Sequence, residues 1–144
     1  MIEIRQLSIE DYDEMLNLWL ASGLTSLKPK GRDSREEIEK QMKMFPGGFI
    51  GAFADGKLVG IVVATHDGRK GWINRLAVHP NYRRKGIAKK LIEEAEEYLK
   101  KEGMRIICAL IEDWNTASIN LFQKCGYKMH RDIIYFSKRE SEEV

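Results

Sequence analysis

The stretch from Trp72 to Ile111 constrains the fold more than any other part of the chain. Between Gly86 and Lys101, the residues Ile87, Ala88, Leu91, Ile92, Ala95, Tyr98 and Leu99 recur at spacings that keep one face of a helix apolar. Gly103 follows where a left-handed C-terminal residue is wanted. Runs of strand-forming residues flank this helix, Trp72 to Val78 before it and Arg105 to Ile111 after it. Strand, helix, strand in that order predicts a parallel pair joined by a right-handed crossover. At 144 residues the chain has room for one core of ordinary size.

The segments before this unit have a different rhythm. Residues 2–7 alternate like a strand, and Ser8 with Asp11 frames a helix start whose apolar stripe is Met15, Leu18 and Trp19. An irregular loop is expected over 23–33, then a second helix capped by Ser34 with Glu37 three residues on. Phe49 to Ala54 and Leu58 to Thr65 read as strands joined by the hairpin turn Asp55-Gly56, with a second turn at Asp67-Gly68. Beyond the crossover, Asn115 to Lys124 reads as a short helix closed by Gly126, and Tyr127 to Ser137 as a final extended segment. The expected class is α/β with a mixed sheet, mostly antiparallel with one parallel pair, in one domain over 1–138 with a polar tail at 139–144.

Bulk charge excludes little. Twenty-four Lys and Arg against 22 Asp and Glu leave a net charge of +2, too small to call for nucleic acid or an anionic membrane as partner. The longest near-apolar run, Leu58 to Ala64, is far shorter than the ~18–20 residues of a membrane span. Met1 to Gln6 lacks the hydrophobic stretch of a secretory signal. Cys108 and Cys125 belong to no metal-ligand pair and read as buried reduced thiols. A cytoplasmic protein with no metal, no nucleic-acid partner and no membrane contact is expected.

The placement of charge says more. The free N–H groups of a helix's first turn carry roughly +0.5 of an elementary charge and favour Asp or Glu there. Here the helix opens Arg83-Arg84-Lys85-Gly86-Ile87-Ala88-Lys89-Lys90, five cations without an acid, and Glu93, Glu94, Glu96 and Glu97 come later. Each such cation costs an isolated helix about 0.3–1 kcal/mol unless an anion sits at its end. Gly86 permits close backbone approach, so a phosphate could take several N–H bonds directly. The alternative is a basic face that is merely solvated. Gly51-x-x-x-x-Gly56-Lys57 imitates a phosphate-binding loop, but Leu58 stands where Ser or Thr would hold magnesium, and the segment reads as strand, turn, strand.

Arg83-x-x-Gly86-x-Ala88, following the strand Leu76-Ala77-Val78 and the loop His79-Pro80-Asn81-Tyr82, resembles the coenzyme A signature of the GNAT family of N-acetyltransferases. Asn115, Ser118, Leu121, Phe122, Gly126 and Tyr127 are similar to a second block of that family. The resemblance implies a GNAT-like acyl-CoA N-acyltransferase fold, with a splayed parallel strand pair flanked by helices. It implies acetyl-CoA as cosubstrate, an amine as acceptor, and direct acetyl transfer in a ternary complex; it also allows a homodimer. Backbone N–H groups from Arg84 through Lys85, Gly86 and Ile87 to Ala88 would hold the pyrophosphate, with Arg83, Arg84 and Lys89 adding charge. Leu76, Ala77 and Val78 would line the pantetheine, the Leu76 N–H facing the thioester carbonyl. Such a donor is typically worth ~10²–10³ in rate. Asn115 would contact the pantetheine arm or fix its own loop.

The chain departs from the family where acid–base chemistry is expected. The positions that often carry a carboxylate hold Trp72, Asn74 and Leu110, and Phe122 stands where a tyrosine often protonates the leaving thiolate. Candidates left are Glu112 and Asp113 beyond the second strand, and Asn74 holding a water in the base's place. A leaving thiolate is tolerably stable near neutral pH, so slower or substrate-assisted transfer is expected. The alternative is a coenzyme A-binding sensor or interaction domain with weak catalysis. Among the histidines, His66 is the first candidate to face the acceptor; Trp72 and Trp114 are candidates to wall it, and the Lys28, Lys30, Arg32 loop to cover it.

Overall fold

A computed structural model describes residues 1–24 and 26–144; Thr25, in the loop expected over 23–33, lies outside the described residues. Five strands form one sheet in chain order: β1 (Ile2–Gln6), β2 (Phe49–Ala54), β3 (Lys57–His66), β4 (Gly71–Val78) and β5 (Ile107–Ala109). The first three junctions are antiparallel and β4–β5 is parallel, as the strand–helix–strand order requires. The helices are α1 (Tyr12–Ala21), α2 (Arg35–Met44), α3 (Ile87–Lys101) and α4 (Thr116–Lys124).

Local chemistry accounts for most element boundaries. Asp55 and Gly56 both take positive φ, 51° and 78°, which a two-residue hairpin turn of matching twist needs. Ser34 Oγ accepts from the Glu37 N–H at 3.2 Å and starts α2. Asp11 accepts from the Ser8 N–H at 2.9 Å and takes both guanidinium nitrogens of Arg5, at 3.0 and 3.1 Å. This pins β1 to the short 3-10 turn that leads into α1.

Each face of the sheet is covered, so β2 is buried throughout its length. On one side α3 contributes Ile87, Leu91, Ile92, Ala95 and Leu99, packed on Val59, Val62, Ala64 and Ile73. On the other, Met15, Leu18 and Trp19 of α1 and Ile38 of α2 pack on Phe49, Phe53, Ile61 and Val63.

Two expectations are corrected. The strand expected over 105–111 has three residues, because β4 leaves β5 after Ile73, just ahead of its bulge at Arg75 and Leu76, and nothing pairs with β5 beyond Ala109. The extended segment expected over 127–137 forms no strand, and Ile133, Ile134, Tyr135 and Phe136 are exposed. A strand requires a ladder partner, and the free edge of β5 is only three residues long. The tail returns instead to the 23–33 loop, where the Val144 carbonyl accepts from Arg32 Nη1 at 3.0 Å.

Candidate active site

The start of α3 is built for close approach. Arg84 and Gly86 both take left-handed conformations, φ 63° and 78°, turning the chain so that the helix begins at Ile87. A Cβ added to Gly86 would meet nothing within 4 Å. Arg84, Lys85, Gly86, Lys89 and Lys90 are exposed, while buried Ile87 and half-buried Ala88 anchor the first turn. That turn holds no acid, and its N–H groups lack acceptors within the helix. Arg84 and Lys89 form no ion pair among the described residues. Arg83 is different: its Nε donates to the Val78 carbonyl at 3.2 Å and its Nη2 to the Ser22 carbonyl at 3.3 Å. It therefore braces the end of β4 against α1. Lys85 Nζ lies 5.6 Å over the Tyr82 ring.

Beside this turn, β4 parts from β5 after three paired residues, Gly71, Trp72 and Ile73. Asn74 to Val78 thus have no strand partner on that side, the splay that the resemblance implies. On the β3 side the ladder skips from Asn74 opposite Val63 to Ala77 opposite Ile61, so Arg75 and Leu76 face the single residue Val62. Arg75 absorbs the bulge at φ 52°. Alternation breaks there: Asn74 and Arg75 both line a cavity on the α1–α2 side, whereas Leu76 packs with the α3-side core. Leu76, Ala77 and Val78 therefore lead from the open stretch of β4 toward the cationic turn through only the loop 79–86.

The remaining candidates disperse. Asn74 is half-buried and donates through Nδ2 to Thr65 Oγ1 at 3.2 Å. Glu112 and Asp113 are exposed just past β5, at the sheet end shared with Val78. Asn115 caps α4, accepting from the Ser118 N–H at 3.2 Å, which is the loop-fixing alternative. Phe122 is 5% exposed and packs edge-on against Tyr127 with centroids 5.0 Å apart. The Tyr127 hydroxyl donates to Glu96 at 2.7 Å, and burial together with that carboxylate keeps the phenol protonated far above its usual range.

His66 pairs with Gly71, at the opposite end of β4 from Val78. Its Nδ1 accepts from the Gly68 N–H at 3.1 Å within the β3–β4 turn, leaving Nε2 to donate to Glu102 at 3.3 Å beyond the C-terminus of α3. Neither Trp72 nor Trp114 lines the cavity, and Trp114 is 61% exposed.

Sequence reasoning missed Arg75 and Asp33. Asp33 is 4% exposed, and its Oδ2 accepts from Arg75 Nη2 at 2.8 Å and from the Lys28 N–H at 2.8 Å. Burial weakens the Arg75 guanidinium's hold on its proton, and Asp33 restores part of it. The available signal was a lone charge inside the run Trp72 to Val78. The cavity they border has a volume of about 470 Å³, within the range of small-molecule sites.

A mixed sheet that splays beside a cationic, glycine-bearing helix start defines an acyltransferase-like architecture, and comparison with known proteins gives the family. The sequence profile of the acetyltransferase (GNAT) family matches residues 9–127, and the chain belongs to that family. It is 32% identical to an acetyltransferase of Sodalis glossinidius over 142 residues, covering 99% of this chain and 98% of the relative. A Photorhabdus laumondii acetyltransferase is 34% identical over 139 residues, covering 96% of this chain and 95% of that one. Among solved structures, the PaiA N-acetyltransferase of Thermoplasma acidophilum, in complex with coenzyme A, superposes with a TM-score of 0.78 at 28% identity, over 90% of this chain and 91% of that one. An aminoglycoside acetyltransferase bound to a bisubstrate analogue shares the fold at TM-score 0.78 and 19% identity, over 96% of this chain and 99% of its own. The protein is an acyltransferase. Among the described residues no helix is long and apolar enough to cross a membrane.

Proposed function

We propose that the protein transfers acetyl from acetyl-CoA to a primary amine by direct attack in a ternary complex. The observation that carries this reading is the parting of β4 from β5 beside the acid-free start of α3. The open N–H groups at Arg84 to Ala88, with Lys85 and Lys89 near them, suit a pyrophosphate. The unpaired edge of β4 at Leu76 to Val78 suits an extended amide-bearing arm, which would add as a further strand. A backbone N–H at Leu76 would stabilise the charge that grows on the carbonyl oxygen during attack.

The balance of the step is simple. The amine nitrogen adds to the acetyl carbon, the C–N bond forms, the C–S bond breaks, and coenzyme A leaves as a thiolate. One proton lost by the amine matches the one the thiolate gains, so the products are an amide and coenzyme A thiol. Among the described residues no buried carboxylate is available for the first proton: Asp33 is committed to Arg75 and Glu112 is exposed. A water held at Asn74, or solvent itself, would carry the proton. This favours amines that are appreciably neutral at the working pH, and turnover is expected to rise with pH until the amine is deprotonated.

The second reading, a coenzyme A-binding sensor with weak catalysis, is favoured by that same shortage of an acid and a base. Calorimetry with acetyl-CoA tests the shared premise, and thiol release across polyamines, amino acids, aminoglycosides and peptide N-termini separates the two. Micromolar binding with turnover of at least one amine is the expected result. Binding with no turnover on any of them would leave the sensor.

A further inference from the structure

Two side chains in the wall of the 470 Å³ cavity carry hydrogen-bond donors that the protein itself does not use. Arg75 Nη1 is buried and has no partner among the described residues, although Nη2 is held by Asp33. Trp19, fully buried in α1, is in the same position through its indole Nε1. Both residues line this one cavity, and the Arg75 guanidinium carbon lies 5.6 Å from the centre of the Trp19 ring. The third buried atom of this kind among the described residues, the Tyr98 hydroxyl, belongs to α3 on the opposite face of the sheet.

Neither atom can accept a hydrogen bond, so any group that satisfies them must bring acceptors. A buried donor left without one costs about 1–3 kcal/mol, and more when it belongs to a cation. A carboxylate fits best: it is acceptor-only, and its planar pair of oxygens matches a guanidinium edge. The other charges at the rim agree. Glu37 lies 3.8 Å from Lys40 and Asp33 is spent on Arg75, while Arg32 donates to the Ser26 carbonyl and to the main-chain oxygen of Val144, so no acid at the rim is left unpaired to repel a carboxylate. A protonated polyamine, which brings donors but no acceptor, would leave both donors unmet. The bulge ties the cavity to the transfer site, since Arg75, which faces the cavity, is followed at once by Leu76 on the open stretch of β4.

We propose that this cavity receives an acceptor amine that also carries a carboxylate, and that Arg75 and Trp19 bind the carboxylate while the amine is directed to Leu76. The assignment rests on the acetyl-transfer reading of the same site. It makes Arg75 and Trp19 specificity-determining residues and amino acids or short amino-carboxylates the acceptor class.

The test uses matched pairs differing only in the carboxylate: β-alanine against ethylamine, 4-aminobutyrate against propylamine, and α-amino acids against their amides. At least one amino-carboxylate is expected to exceed its partner in kcat/KM by roughly tenfold or more, the worth of one hydrogen bond to a charged group. Trp19→Phe keeps the ring and removes the N–H; Arg75→Lys keeps a charge for Asp33 and removes the second arm. Each is expected to raise KM for the amino-carboxylates roughly tenfold, with little change for the plain amines or for acetyl-CoA affinity. Equal KM increases for both members of a pair, or a general preference for plain amines or polyamines, would overturn the assignment.

A readout independent of turnover is the Trp19 indole N–H resonance, identified by its loss in Trp19→Phe. It is expected to shift on titration with an amino-carboxylate and to stay in place with the matched amine. No shift with any of them overturns the proposal even where acetyl-CoA binds normally. Absence of acetyl-CoA binding would instead remove the transfer reading and leave the indole result to decide the cavity's ligand.

Discussion

Replacing Gly86 separates the folding role of the α3 start from its anion-binding role, because one carboxylate should move the two in opposite directions. Gly86 sits at φ 78° and ψ 7°, with open space where a Cβ would go. Gly86→Ala therefore meets no clash, and its cost is the left-handed backbone alone, about 1 kcal/mol. Gly86→Glu bears the same backbone cost but sets an anion against the free N–H groups of α3, recovering about 0.3–1 kcal/mol. On thermal unfolding, Glu should thus be at least as stable as Ala. Cofactor binding should show the reverse order. A carboxylate held about 5 Å from a phosphate at an effective dielectric of about 20 is opposed by about 3 kcal/mol, roughly a hundredfold in affinity. Calorimetric titration with acetyl-CoA at low salt is expected to show Ala within about fivefold of the parent, the equivalent of its backbone strain, and Glu weaker by about two orders of magnitude. A folded Gly86→Glu that bound as tightly as Gly86→Ala would refute the phosphate cradle.

Asn115→Ala removes the side-chain cap of α4 and should cost about 1 kcal/mol, a fall of roughly 3–5 °C in Tm that differential scanning calorimetry can measure. At Gly48 an added Cβ would lie 2.3 Å from the Ala64 carbonyl oxygen, and the Gly48 carbonyl itself accepts from the Ala64 N–H at 2.7 Å. Because only backbone can move there, Gly48→Ala should lose at least about 2 kcal/mol in urea unfolding, and a variant as stable as the parent would contradict that geometry. Asp11 is held below the usual carboxylate range, chiefly by the hydrogen bonds from Arg5. Its contribution should be fully present above an unfolded-state pKa near ~3.9 and fade as pH falls through the lower folded value. The stability gap between the parent and Asp11→Asn, about 0.5–1 kcal/mol at neutral pH for so exposed a pair, should therefore close in acid.

Features that depend on neighbouring residues were legible before the fold was known. Asp55-Gly56 makes its turn because two adjacent residues tolerate positive φ, and Ser34 and Asn115 cap helices because each oxygen reaches an N–H three residues on. The cationic start of α3 needs no tertiary information either, since helix position and charge are both local. Arg83 shows the limit of that reasoning: its charge is evident, but its hydrogen bond to the Ser22 carbonyl, 61 residues distant, is not. The strand expected over 127–137 fails for a similar reason, since strand-forming residues need an edge long enough to pair with.

By itself, then, the sequence determined the order of elements as far as α4, the parallel crossover from β4 to β5, and the acid-free helix end that anticipates an anion. Only the tertiary structure decided where β4 and β5 part and which face Arg75 takes. The physical reason is register: one extra residue opposite Val62 reverses the alternation, so that Asn74 and Arg75 share a cavity that period-two reading would have divided between the two faces of the sheet.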